Sequence, residues 1–260
     1  MKKVIAAALF CAVSSFATWD LFPAQDAGKG EAKLGFNYFS IDKLSAMGIN
    51  VGARYSIIEG LEASVLLDGS TTGFGGYVLS QSFDGTSLDD ASGLDKPVVG
   101  IRYWLPMGLG IAVDAILPVG GKNIVGEDDV KFGLDAGVQF STKINDALAI
   151  GSEAILNILN DRDGCSDKCS QGMGLNIAVE GDYTVGPATP YLGIDLHQGL
   201  TKGDGAEAAK LMLGLSVGAV YNVSDAIYAQ LNFWTNLVQD KDTVGEKKPM
   251  TITLSGGFKF

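Results

Sequence analysis

The chain has 260 residues with 30 Asp and Glu against 19 Lys and Arg, a formal charge of −11. That balance excludes the basic footprint on which nucleic-acid binding depends. Hydrophobic residues make up 47% of the chain and glycine is abundant at 35 residues, a high apolar share for so acidic a protein.

Taken in chain order, Lys2 and Lys3 precede an apolar run from Val4 to Val13, and Ser15-Phe16-Ala17 offers small residues for cleavage. This is the layout of a secretory signal peptide. Residues 1–17 are therefore expected to be removed, leaving Thr18 first and a charge of −13 once Lys2 and Lys3 are gone. The apolar run is too short for a membrane helix of about 20 residues, and no later stretch supplies one.

Beyond the leader, apolar and polar residues alternate. In 130–140, Val130, Phe132, Leu134, Ala136, Val138 and Phe140 fall on one face, with Lys131, Gly133, Asp135, Gly137 and Gln139 on the other. In 250–260, Met250, Ile252, Leu254, Gly256, Phe258 and Phe260 oppose Thr251, Thr253, Ser255, Gly257 and Lys259. Period-two patterning makes β-strands. The same test predicts twelve of them, over 31–39, 47–57, 61–68, 97–104, 108–118, 129–141, 147–158, 172–184, 189–198, 209–221, 226–235 and 249–260. Several have the 9–11 residues of a tilted transmembrane strand.

The connections form two classes. IEG, LPMG, TKIND, VGPAT and NVSDA are short, whereas those after the third, fifth, seventh, ninth and eleventh strands are longer and acidic, the longest being 69–96. Short turns at one end and long loops at the other are the asymmetry of an outer-membrane barrel. Aromatic residues add a third signal. Tyr55, Tyr103, Phe140, Tyr183 and Tyr221 each stand just before a short turn, with Phe258 and Phe260 closing the series. Aromatics at one height form an interfacial girdle.

A soluble β-barrel or sandwich would also alternate, but would show a charged, solvated polar face. Here that face holds eleven glycines, among them Gly35, Gly100, Gly137, Gly151, Gly218 and Gly257, which suits a crowded, curved lumen. The leader, the twelve alternating strands, the asymmetric turns and the terminal Phe258-Lys259-Phe260 together resemble a bacterial outer-membrane β-barrel protein. The resemblance covers 31–260 and implies an all-β, antiparallel up-and-down transmembrane barrel in the outer membrane, porin-like or transporter-like. It also implies that the aromatic-ended last strand is read by the barrel assembly machinery, and that lipid and lipopolysaccharide surround the wall. Residues 18–30 are then a short periplasmic tail, and the last strand must pair with the first because a bilayer offers an open edge no water.

In this register Arg54, Glu62, Arg102, Asp114, Lys131, Asp135, Glu153, Glu180, Asp182, Asp195 and His197 line the lumen, joined by Asp68, Lys33, Lys210 and Lys259. Acids outnumber bases, which favours cations or neutral solutes in a channel. The other reading is that opposite charges pair across the interior and lock it, leaving a structural barrel whose outer loops carry the function. His197 follows Asp195 by two on one face. That pair is similar to half of the site of omptin-type outer-membrane proteases, but the pair of aspartates these need on a facing strand is not found. An outer-membrane phospholipase has a Ser-His pair facing lipid, whereas His197 faces inward in this register, so no catalytic residue is assigned. Cys165 and Cys169 are expected to form a disulfide in an oxidising envelope. Asp161-Arg162-Asp163-Gly164 lacks the further carboxylates of a calcium loop, and neither cofactor nor metal is expected. The acidic loop residues Asp89, Asp90, Glu127, Asp128 and Asp129 could share divalent ions with lipopolysaccharide phosphates or simply form a solvated face. The function so read is a channel or transporter for small solutes.

Overall fold

A computed structural model describes residues 21–22, 26–67, 77–87, 93–94, 97–117, 130–162, 173–201, 211–239 and 247–260. Among them, twelve antiparallel strands form a closed barrel. They are β1 (Gly30–Ile41), β2 (Leu44–Ile58), β3 (Leu61–Leu67), β7 (Val98–Trp104), β8 (Leu109–Ile116), β9 (Val130–Lys143), β10 (Leu148–Arg162), β11 (Gly174–Tyr183), β12 (Ala188–Gly199), β13 (Met212–Asn222), β14 (Ile227–Val238) and β15 (Met250–Lys259). Each predicted strand coincides with one of these, with edges displaced by a few residues. The leader 1–17, Cys165, Cys169, Asp68, Lys210, the loop acids Asp89, Asp90, Glu127, Asp128 and Asp129, and the Lys131 side chain lie outside the described residues.

Neighbours in sequence pair in space, and β1 closes the ring by pairing with β15 as well as β2. The closing register sets Glu31 opposite Lys259 and Ser40 opposite Met250. It continues to the rim, where Gly30 N–H donates to the Phe260 carbonyl at 2.8 Å and Phe260 N–H donates to the Gly30 carbonyl at 2.9 Å. The predicted pairing of last strand with first is thus present.

Two expectations about connections need correction. The first outer connection, 40–46 by the bounds of the first two predicted strands, is only Asp42-Lys43, because Ile41 and Leu44 already pair. The long connection 69–96 contains strands of its own: β4 (Tyr77–Phe83), β5 (Thr86–Ser87) and β6 (Gly93–Leu94). The reason is a mismatch of length. β2 has 15 residues and β3 has 7, so β3 pairs with β2 only from Val51 to Ile58. β4 takes the remaining edge, from Ile49 to Leu44, which satisfies backbone groups that would otherwise be orphaned. Asp84 and Gly85, both with positive φ, turn β4 into β5. Asp-Gly is a strong hairpin signal, and it was visible in the sequence.

Alternation sorts the wall into two faces. Leu34, Val65, Ile101, Val138, Leu231 and Leu254 point outward and are exposed, as a lipid-facing belt requires. Tyr55, Tyr103, Phe140, Tyr183, Tyr221, Phe258 and Phe260 are all exposed on that face near the short-turn rim, and the rings of Phe258 and Phe260 stack with centroids 6.2 Å apart.

The inward glycines serve as seats for large neighbours. A Cβ on Gly218 would fall 2.3 Å from the Tyr191 ring and 2.5 Å from the Leu231 carbonyl oxygen, and one on Gly257 would fall 2.1 Å from the Tyr228 ring. These are positions where another group approaches the strand too closely for any side chain. Gly218→Val is therefore expected to destabilise the barrel by about 1–3 kcal/mol through overpacking. Gly181→Ala, in open space, should leave it unchanged. Denaturant midpoints of the heat-modifiable folded band will measure both.

Candidate functional site

The barrel interior holds the candidate site, and its two sides differ. On β14, β15, β1 and β2 the inward side chains are packed: Phe39, Asn50, Gln230, Asn232, Trp234 and Thr253 are almost wholly buried. Amides, hydroxyls and aromatic rings interlock there. Gln230 Nε2 donates to the Tyr191 hydroxyl at 2.8 Å, Tyr191 OH donates to Asn232 Oδ1 at 3.1 Å, and Lys33 Nζ donates to Gln230 Oε1. Lys259 turns inward, its ammonium 5.5 Å from the Tyr228 ring centroid.

Of the predicted basic residues, Lys33, Arg54 and Lys259 stand on β1, β2 and β15, and Arg102 stands two strands beyond β2, on β7. Arg54 donates from Nε and Nη2 to Glu31 Oε2 at 3.0 and 2.9 Å, and its Nη1 lies 3.7 Å from Glu62. Arg102 donates to the Ser64 hydroxyl at 3.0 Å and to Asp114 Oδ2 at 3.3 Å. Only 8% of Arg54, 5% of Arg102 and 2% of Lys33 is exposed. Of the acids, Glu62 is buried and Asp114 partly so, both against guanidinium groups.

The opposite wall, β9 to β12, presents another chemistry. Asp135, Glu153, Asp182 and His197 face inward and are only partly buried, whereas Glu180 and Asp195 are buried. A hydrogen-bonded row crosses the four strands at one height: Asn157 Nδ2 donates to Asp135 at 2.8 Å, Asn176 Nδ2 donates to Asn157 Oδ1 at 3.1 Å, and Asn176 Oδ1 meets His197 Nδ1. Gln139 donates to Glu153 at 3.2 Å. Asp195 accepts from the Trp234 indole at 2.8 Å. Asp195 and His197 share a face, yet each engages a different side chain, Trp234 for Asp195 and Asn176 for His197.

Ion recognition and solvation of polar solutes are the chemistry such a wall supports. Charge counting alone missed Glu31, which lies at the edge of its predicted strand, and the amides Gln139, Asn157, Asn176, Gln230 and Asn232. The signal for these amides was partly present: each sits on the polar face, and Gln139, Asn157 and Asn176 stand in register with Glu153, Asp135 and His197. Removing one partner of a buried ion pair leaves an uncompensated charge. Arg54→Met is thus expected to cost about 3–5 kcal/mol, with part of the loss recovered on adding Glu31→Gln. Unfolding by guanidinium in detergent, read by intrinsic fluorescence, will check the pair of variants.

No protein-family model and no curated protein matches the chain. Solved structures do. The COG4313 outer membrane channel from Pseudomonas putida F1 superposes with a TM-score of 0.65 at 16% identity, over 92% of this chain and 98% of that one. The NanC porin gives 0.58 at 11% identity, over 88% and 100%. The KdgM porin gives 0.52 at 9% identity, over 88% and 99%. At these identities the likeness is one of fold. The apolar outer face, the closed ring and these neighbours agree: the protein has the architecture of a bacterial outer-membrane β-barrel.

Proposed function

We propose that this barrel is an outer-membrane channel for small solutes, with cations and neutral molecules favoured over anions. One observation carries the reading. Lys33, Arg54 and Arg102 are buried against partners in the wall, while Asp135, Glu153 and Asp182 on β9, β10 and β11 remain partly accessible. Along the described residues of that wall, a passing ion would meet carboxylate rather than ammonium or guanidinium. Carboxylate-lined walls set cation preference. The neighbours of similar fold are described as channels and porins, which supports conduction without specifying the solute.

On this reading the exposed aromatic series from Tyr55 to Phe260 marks the periplasmic interface of the outer membrane. The aromatic-ended β15 would be the strand presented to the assembly machinery, and lipid and lipopolysaccharide would contact the belt. The dense packing of β14, β15, β1 and β2 favours a second reading, a barrel too full to conduct, whose outer connections do the work.

Planar-bilayer recording separates the two. Single-channel steps with a cation-selective reversal potential in a salt gradient are expected. In the triple variant Asp135→Asn, Glu153→Gln, Asp182→Asn, the cation-to-anion permeability ratio should fall roughly severalfold toward unity. Absence of unitary current at any salt concentration would sink the channel reading. Anion preference in the parent protein would contradict the assignment of the accessible wall.

A further inference from the structure

Leu21 and Phe22 precede β1, and the strand they lead into stands on the seam. Yet Leu21 is only 3% exposed, and what buries it is the far wall. A Cβ on Gly151 of β10 would fall 2.6 Å from the Leu21 carbonyl oxygen and 2.8 Å from the Leu21 Cβ. Gly151 shares the inward face of β10 with Glu153, which meets the inward Gln139. From the other side, Arg54 Nη1 of β2 reaches to 3.5 Å from the Phe22 carbonyl oxygen.

The ring order shows how far apart these walls are. Counting either way round the barrel, β10 is the strand opposite β1. Closer to β1 the chain is back at the rim, where Gly28 N–H donates to the Ser56 carbonyl at 2.7 Å and Ser56 N–H donates to the Lys29 carbonyl at 2.9 Å. Residues 28–30 thus lie at the short-turn rim beside β2, while Leu21 lies against Gly151 of the opposite wall. Glycine within a strand is what allows a second backbone to press against it, and Gly151 is such a seat.

We propose that the segment carrying Leu21 and Phe22 is a strap across the short-turn end of the lumen, seated on Gly151 and steadied by Arg54, which narrows the passage. Its effect on conduction rests on the channel reading; its seat does not. The strap also gives Arg54 a second task beside its ion pair with Glu31, because one guanidinium ties the strap to the wall.

The test uses the full protein with Cys11, Cys165 and Cys169 replaced by serine. In the folded barrel, Leu21→Cys should react with a membrane-impermeant maleimide at least about tenfold more slowly than Asp42→Cys on the exposed hairpin. Adding Gly151→Leu should bring the two rates together. The same change should raise unitary conductance roughly twofold, whereas added bulk in an unobstructed lumen would lower it. Equal labelling of Leu21→Cys and Asp42→Cys, or lowered conductance with labelling of Leu21→Cys unchanged, would overturn the strap. Slow labelling released by Gly151→Leu, with no current in either protein, would uphold the strap and refute the channel. Should Gly151→Leu fail to yield a heat-modifiable barrel, Gly151→Ala serves, since a single Cβ already meets the Leu21 carbonyl.

Discussion

Ten residue pairs join β1 to β15, and the reciprocal bonds of Gly30 and Phe260 carry that seam to the edge of the wall. Inside hydrocarbon a free strand edge would leave every second N–H and C=O without a partner, at several kcal/mol each. The rest of the molecule follows from avoiding that cost. The sheet must bend far enough for its ends to meet, the outward face must be apolar throughout, and whatever polar chemistry the protein has is forced into the interior. The pairing of β4 with the outer end of β2 obeys the same rule: where β3 stops early, another strand takes the vacant edge.

Closure then sets the packing problem of the interior. Side chains converge on the axis, so a wall of ordinary residues would collide, and glycine relieves the crowding where a large neighbour lies flat. Tyr191 over Gly218 and Tyr228 over Gly257 are two such pairs, in which an aromatic ring fills the space a side chain of its neighbour would need. The result is asymmetric. One side of the interior becomes a core of amides, hydroxyls and rings with buried ion pairs, and the other keeps carboxylates within reach of water. The acidic excess along the chain is thus sharpened along the described residues of the accessible wall.

Most of the architecture was legible because its signal is local. Period-two alternation needs only neighbouring residues, and so do short turns and rim aromatics. The inward placement of Arg54, Glu62, Arg102, Asp135, Glu153 and His197 follows from the same alternation. The amide row Asn157–Asn176–His197 was less legible, since amides on a polar face look like filler until the register aligns them. β4 was overlooked for a related reason: its stretch lies among glycines, and the edge it covers exists only because two distant strands differ in length.

The order of residues by itself determined the strand count, the two faces, the polarity of the ends and the need for closure, because each depends on contacts a few residues apart. Tertiary structure alone decided which charges meet. Arg54 finds Glu31 and Arg102 finds Asp114 through the register of adjacent strands. Leu21 reaches Gly151 across the full ring, between residues that no local pattern connects. Such contacts arise from the diameter and stagger of the closed sheet, which belong to the ring as a whole and to no single segment.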